Sequence, residues 1–413
     1  MRIVLDIFHA IIIWMMNIVA KLPLAILMFI RLNVRYKNLR DIYTTRGPYL
    51  VLPNHTNQWD PFILSFIFPR PVHWVASDGA FRDSMLKAFM LLGGAIPKIK
   101  EQSDLITLNA IKRSISMGHC AGIFPEGEQT WDGRSLPLIP ATAKLVRHLK
   151  IPVIIPIIKG GYLTKPRWAW GIRRCRIEVH LKRVINSSEI KSLKLSEIER
   201  RLRETIVQDD YAWQNSAKVP IAGEKRAEHL ELAFFACPSC EGIGTLHSKG
   251  NSLACACGYS IYVDRYGFFQ YPPEGPDFAS PADWKNWQNA MLSEKIKDEI
   301  DQAELNGNSD PVLLRDANIT LMKAKRAMPM RPIYRGEARL YKNRLEIGNE
   351  GCSAMVFPLK DISAVNTFKQ QKFEFRFEKN QHRLAMPSRH VSGYKWEVAY
   401  KGLRRLLVER GLW

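Results

Sequence analysis

The sequence predicts an α/β protein in which a largely parallel sheet, layered by helices as αβα, comes first and a β-rich unit comes last. Two patterns carry this. Strand-like runs at 49–52, 73–76, 121–124, 153–158 and 176–181 alternate with helical patterns at 105–117 and 141–149, the order that builds a parallel sheet. Further on, Phe373, Phe375 and Phe377 alternate with polar residues in the manner of a strand with one buried face. Between these parts lies a cluster of cysteines. At 413 residues the chain exceeds the usual single-domain size, so several units are expected: 1–34, 35–215, 229–272, 280–306 and 312–413.

The first segment is apolar. Residues 7–20 and 22–30 form two hydrophobic runs separated by Lys21, with Arg31, Arg35 and Lys37 following. The length suits entry into a bilayer. Asp6, His9, Asn17 and Lys21 interrupt the run and Pro23 kinks it, which favours N-terminal membrane helices seated in one leaflet, with a single spanning helix as the alternative. The basic residues that follow put the remainder on the cytoplasmic face. The net charge of +20 predicts attraction to polyanions: an anionic membrane surface, an acidic carrier protein or nucleic acid. Seven cysteines, an odd number with three scattered, argue against a disulfide framework.

In the next unit, the strand at 49–52 delivers the chain into Pro53-Asn54-His55-Thr56-Asn57-Gln58-Trp59-Asp60-Pro61. His55 thus sits in a strand-end loop, where open α/β sheets carry catalytic groups, with Asp60 near enough in sequence to orient its ring. Asp60 before Pro61 also suits the N-cap of the next helix. Ser196 to Glu199 reads as a capping box opening a helix toward Trp213, and residues 215–228 read as a polar linker.

Four ordered blocks carry a resemblance. His55 and Asp60 match an H-x4-D signature; Gly94-Ala95-Ile96-Pro97-Lys98-Ile99-Lys100 is similar to a second block ending in a basic residue; Ile123-Phe124-Pro125-Glu126-Gly127 to an F-P-E-G block; and Val153-Ile154-Ile155-Pro156 to a buried strand ending in proline. Over roughly residues 35–185 the chain therefore resembles the glycerolipid acyltransferases, the family that includes the lysophosphatidate acyltransferases. The resemblance implies a glycerolphosphate-acyltransferase-like catalytic domain with His55 as general base, Asp60 as its orienter, and direct attack of an alcohol on an acyl thioester without a cofactor. Acyl-CoA or acyl carrier protein is the implied donor and a lysophospholipid the acceptor. Glu126 and Gly127 are implied to meet the glycerol-phosphate, Glu126 at its hydroxyl region, and Lys100 its phosphate. Asn54, Asn57 or nearby backbone amides are the candidates for the oxyanion.

Two positions depart from the family. Gln129 stands where an arginine is usual two residues after the glycine, and Lys100 stands where arginine ends the second block. Lysine neutralises a phosphate but lacks the bidentate guanidinium fork, and glutamine carries no charge. Arg134 and Lys98 are the candidates to compensate.

Cys237-Pro238-Ser239-Cys240 and Cys255-Ala256-Cys257-Gly258 offer two pairs of thiolates suited to tetrahedral structural zinc, and the segment resembles a zinc ribbon. Its second pair has one intervening residue instead of two, and His247 is an alternative ligand. Ser280-Pro281 then opens a helix with Trp284, Trp287, Met291 and Ile300 at helical spacing, broken at 306–311. Strand candidates at 337–341, 344–347, 354–359, 373–377 and 383–386, followed by a helix with the stripe Trp396, Ala399, Tyr400, Leu403, Leu406 and Leu407, resemble a pleckstrin-homology-like domain. Two other function classes fit parts of the sequence, a nucleic-acid-binding zinc ribbon and a non-catalytic lipid-binding module. Dispersed basic residues and the apolar N-terminus argue against the first, and the His55–Asp60 pair against the second.

Overall fold

The computed structural model describes residues 13, 15, 19, 23 and 25–413, except 83, 99–104, 308–309, 326–327, 350 and 352. Most of the apolar N-terminal segment, and Lys100 with it, lie outside the described residues. Among the described residues no helix is long and apolar enough to cross a membrane. The chain divides into two units, one of Met1–Arg167, Gly171–Gly223 and Arg265–Gly267, the other of Trp168–Trp170, Glu224–Asp264 and Phe268–Trp413.

The first unit is built on seven strands, β1 (Val34–Lys37), β2 (Leu50–Val51), β3 (Val72–Ser77), β4 (Ile96–Lys98), β5 (Cys120–Gly122), β6 (Val153–Lys159) and β7 (Ile177–Ile185). Their order is β1-β7-β6-β2-β5-β3-β4. All pairs are parallel except β6 with β7. The apolar runs have a direct cause in burial on both faces: Val51, Ile154 and Ile158 enter one core cluster, while Leu50, Leu52, Val153, Ile155 and Ile157 enter the other. β2 lies between β5 and β6, so the loops leaving the C-terminal ends of these three strands converge. That is where open α/β sheets form sites.

Three local expectations are corrected. Asp60 is not an N-cap: the helix Asp60–Ser65 is preceded by Trp59, and Pro61 occupies the first turn. Ser196 is not a cap either, because the helix Leu195–Ile206 already includes it. That helix does not reach Trp213, since a second one, Asp210–Ala217, starts at Asp209, whose carboxylate accepts from the amides of Tyr211 and Ala212. Residues 215–228 contain the boundary between the two units at Gly223 and Glu224, and Val219, Ile221 and Ala227 among them are buried.

The second unit holds a four-stranded antiparallel sheet (Leu246–Lys249, Ser252–Cys255, Ser260–Val263 and Phe269–Gln270). A helix, Pro281–Leu305, follows; its Ser280 side chain caps the amide of Asp283. Then come seven antiparallel strands, from Leu314–Lys325 to Asn380–Ala385, and the helix Tyr394–Glu409. That helix buries Trp396, Ala399, Tyr400, Leu403 and Leu407, and Phe373 and Phe375 are buried on the sheet face that alternation predicts.

Candidate active site

His55 lies in the loop that follows β2, and its main chain is held from both sides. Its amide donates to Glu126 Oε1 at 2.8 Å, and its carbonyl accepts from the amide of Thr130 at 3.2 Å. The loop after β2 is thereby fastened to the loop after β5. Gly127 makes the second loop's turn at φ +76°, and a Cβ there would lie 2.7 Å from Ile139 Cδ1, so both conformation and space call for glycine.

The imidazole is fixed by two contacts, one of them backed by a further stack. Nδ1 lies 2.8 Å from Asp60 Oδ2, and the ring stacks on Phe124 with centroids 3.9 Å apart. Phe124 in turn stacks on Trp74 at 5.0 Å. That stack depends on Gly122, where a Cβ would come within 2.4 Å of the Trp74 ring. The His55 side chain is 15% exposed and that of Asp60 wholly buried.

Asp60 is surrounded by donors. Besides the imidazole, Oδ2 accepts from the amides of Thr56 at 2.6 Å and Asn57 at 2.9 Å, and Oδ1 from the Thr56 hydroxyl at 2.8 Å. With these donors converging on it, the Asp60 carboxylate serves as an acceptor toward the ring as well. His55 Nδ1 therefore carries the proton, and Nε2 presents the lone pair.

The other sequence candidates fare differently. Asn54 and Asn57 are both buried, and their amide groups are engaged in the framework. Asn54 exchanges hydrogen bonds with the backbone of Ile158 at 2.9 and 2.7 Å. Asn57 donates to the Gly161 carbonyl at 2.8 Å and accepts from the Trp59 amide at 2.8 Å. They clip the loop after β2 to β6 and to the segment beyond it. Glu126 likewise spends its carboxyl on the chain: Oε1 on His55 and Oε2 on the Leu136 amide at 2.6 Å. Burial pushes this carboxyl up to about 8, against the pull of those two amides. Each carboxyl oxygen thus helps to fasten the two loops together.

Arg134 pairs with Asp209, Nε to Oδ2 at 2.9 Å. Lys98 ends β4 in register with Ser77 of β3. Several contributors had no sequence signal. Buried Arg167 donates to Glu128 Oε2 at 3.0 Å and the Gln129 carbonyl at 2.8 Å and lies over the Trp131 ring; it bonds this loop from 36 or more positions downstream. Fully buried Asp210 accepts from the amides of Gly160 and Tyr162, each at 2.9 Å, and burial raises its carboxyl to about 7. Thr56 could have been noticed, since it lies within the H-x4-D stretch.

In the other unit the four cysteine sulfurs of Cys237, Cys240, Cys255 and Cys257 lie within 4.8 Å of one another. Cys237 to Cys257 and Cys240 to Cys255 are each 3.7 Å apart. A tetrahedron with metal–sulfur bonds of about 2.3 Å has edges of about 3.8 Å, so the donor set fits a tetrahedral ion. His247, on an exposed stretch of strand, is not among these donors.

A family-model match spans all four of the first unit's blocks. The family model described as Acyltransferase matches residues 33–159. The chain is similar to the 1-acyl-sn-glycerol-3-phosphate acyltransferase of Saccharomyces cerevisiae, with 25% identity over 186 residues, 44% of this chain and 61% of the relative. It thus spans about three-fifths of that relative's length. Among solved structures it is similar to the 1-acyl-sn-glycerophosphate (LPA) acyltransferase PlsC of Thermotoga maritima, with 12% identity, 52% of this chain and 98% of that one covered, and a TM-score of 0.38. A chain of the 8S snRNP assembly intermediate matches at 12% identity over 22% of this chain and 82% of its own, with a TM-score of 0.19. Residues 33–159, with His55, Asp60, Glu126 and Gly127 among them, match the Acyltransferase family model, and together with the similarity to the yeast acyltransferase this supports the glycerolipid acyltransferase family for that part of the chain.

Proposed function

We propose that the chain transfers a fatty acyl group from an acyl thioester, acyl-CoA or acyl carrier protein, to the free hydroxyl of a lysophospholipid such as 1-acylglycerol-3-phosphate. The observation that carries the reading is the His55 ring locked onto a donor-saturated Asp60, beside the Glu126–Gly127 turn. Nε2 takes the proton of the acceptor hydroxyl as its oxygen bonds to the thioester carbonyl carbon. The carbonyl electron pair moves to oxygen, then returns as the carbon–sulfur bond breaks, and the imidazolium gives its proton to the departing thiolate. Asp60 holds the tautomer and offsets the charge of the imidazolium. With the Asn54 and Asn57 amides engaged elsewhere, backbone amides of these loops are left as the oxyanion donors.

Lys100 is the proposed phosphate contact, with Arg134, salt-bridged to Asp209, reaching the headgroup only if it leaves that partner. Membrane association on the cytoplasmic face is supported by Ile26, Phe29, Ile30, Leu105 and Ile106, large apolar side chains left exposed, and by Arg31 and Arg35 near the first of them. For the second unit we propose a structural Zn2+ held by Cys237, Cys240, Cys255 and Cys257, supported by the sulfur spacing, and no metal role in catalysis. Seven antiparallel strands and a closing helix support a pleckstrin-homology-like domain there.

The test is to incubate membranes containing the protein with labelled acyl donors and a panel of lysolipids and identify products by mass spectrometry. A diacyl phospholipid from one lysolipid class is expected. Thioester hydrolysis without any acylated lysolipid would reject the reading.

A further inference from the structure

The second unit contains another group of metal-type donors that acyl transfer does not use. One ring nitrogen each of His229 and His390 and one carboxylate oxygen of Glu231 lie within 4.8 Å of one another. His229 and Glu231 come from the turn around Leu230–Leu232, and His390 precedes the helix Tyr394–Glu409. The two segments are tied together where the Ser392 hydroxyl donates to the Leu232 carbonyl at 2.8 Å. The His229 amide is anchored on Ser248 Oγ at 2.6 Å.

An ion pair accounts for only part of this arrangement. Glu231 is 3% exposed; its Oε1 meets His390 Nδ1 at 2.5 Å. Its other oxygen, Oε2, is buried without a hydrogen-bond partner, and so is His229 Nδ1. A buried polar group left unpaired is unfavourable. The two histidine rings, 4.7 Å apart, present a second imidazole to a carboxylate that already has one. A cation held by one donor atom from each of the three residues would give them a common partner.

We propose that His229, Glu231 and His390 form a second metal site, taking a divalent transition ion of the Zn2+ class. Two imidazoles and one carboxylate are a ligand set zinc accepts, with water completing the coordination. The His390 side chain is 47% exposed, so the site opens to solvent on that side. Its ion exchanges more readily than one enclosed by four thiolates.

Metal content separates the two sites. The full-length protein is loaded with Zn2+, freed of unbound metal by gel filtration, and measured by elemental analysis and native mass spectrometry. His390→Ala and Glu231→Gln are each expected to hold one equivalent less than wild type. His390 is half-exposed, so its variant keeps the fold, checked by circular dichroism. Loading with Co2+ gives a second readout: the equivalent lost in these variants contributes visible d–d absorption without thiolate-to-metal charge transfer. Equal zinc content in wild type and both variants would overturn the proposal, as would a lost equivalent that carries the thiolate band.

Discussion

Asp60→Asn removes a charge from beneath the imidazole while keeping the shape of the site. The asparagine carbonyl can occupy the place of Oδ2 and still accept from His55 Nδ1 and the amides of Thr56 and Asn57, while its NH2 faces the Thr56 hydroxyl, which now accepts. The fold should survive; the imidazolium loses its counter-charge. With Nδ1 and Oδ2 at 2.8 Å, the charge centres are roughly 4 Å apart, and an effective dielectric near 20 gives about 4 kcal/mol. Partial exposure of His55, 15%, trims this to about 3–4 kcal/mol. At 1.36 kcal/mol per decade, kcat falls roughly 200- to 1,000-fold. KM for the lysolipid changes little, because the charge develops only as the proton moves. Initial rates with labelled donor and circular dichroism of the same preparations test it. A correctly folded variant with kcat within about fivefold of wild type would refute the electrostatic role given to Asp60.

Three further outcomes are expected. Gly127→Ala puts an L-residue at φ +76° with its Cβ against Ile139; a loss of about 1–2 kcal/mol, read as a lower Tm, should come with reduced turnover, since the same loop holds His55. The Glu126 carboxyl is at about 8 when folded, above the ordinary value of 4.5, so folding takes up a proton between those values. Its contribution to stability is complete below pH 4.5 and is lost as pH rises through 8. Denaturant titrations from pH 5 to 8 should show a downward slope in wild-type stability that is shallower in Glu126→Gln. In the second unit, Arg383 donates from Nε and Nη2 to Glu374 Oε1 at 2.7 and 2.5 Å in a buried pair. Arg383→Met should cost about 3–5 kcal/mol in chemical denaturation, and adding Glu374→Leu should recover much of it.

The parts legible in the sequence are those whose cause is local. Residues 153–158 read as a buried strand because both faces of β6 are covered, and the helix at 141–149 begins and ends where its periodicity does. The strand Val34–Lys37 was missed: only Val34 is buried in its VRYK sequence, and β7 alone gives it an edge to join. The reversal of β7 against β6 is likewise a tertiary choice that composition does not encode. In the site, His55 and Asp60 stand five positions apart and announce themselves. The clamp on His55, by contrast, comes from Glu126 and Thr130, more than 70 positions away, and bonds its backbone, which no side-chain motif reveals. Asn57 reads in the sequence as a polar side chain in a catalytic stretch; that its amide bonds the Gly161 carbonyl, over a hundred positions away, is a tertiary fact that the stretch does not carry. His229 and His390 are separated by too much chain for spacing to connect them.

The base assignment is tested most directly by comparing lysolipid-dependent acyl transfer in wild type and His55→Ala at matched protein level and matched circular dichroism. His55 Nε2 as the proton acceptor predicts product from wild type and none above the uncatalysed background from the variant. Turnover in His55→Ala above a few percent of wild type would contradict it.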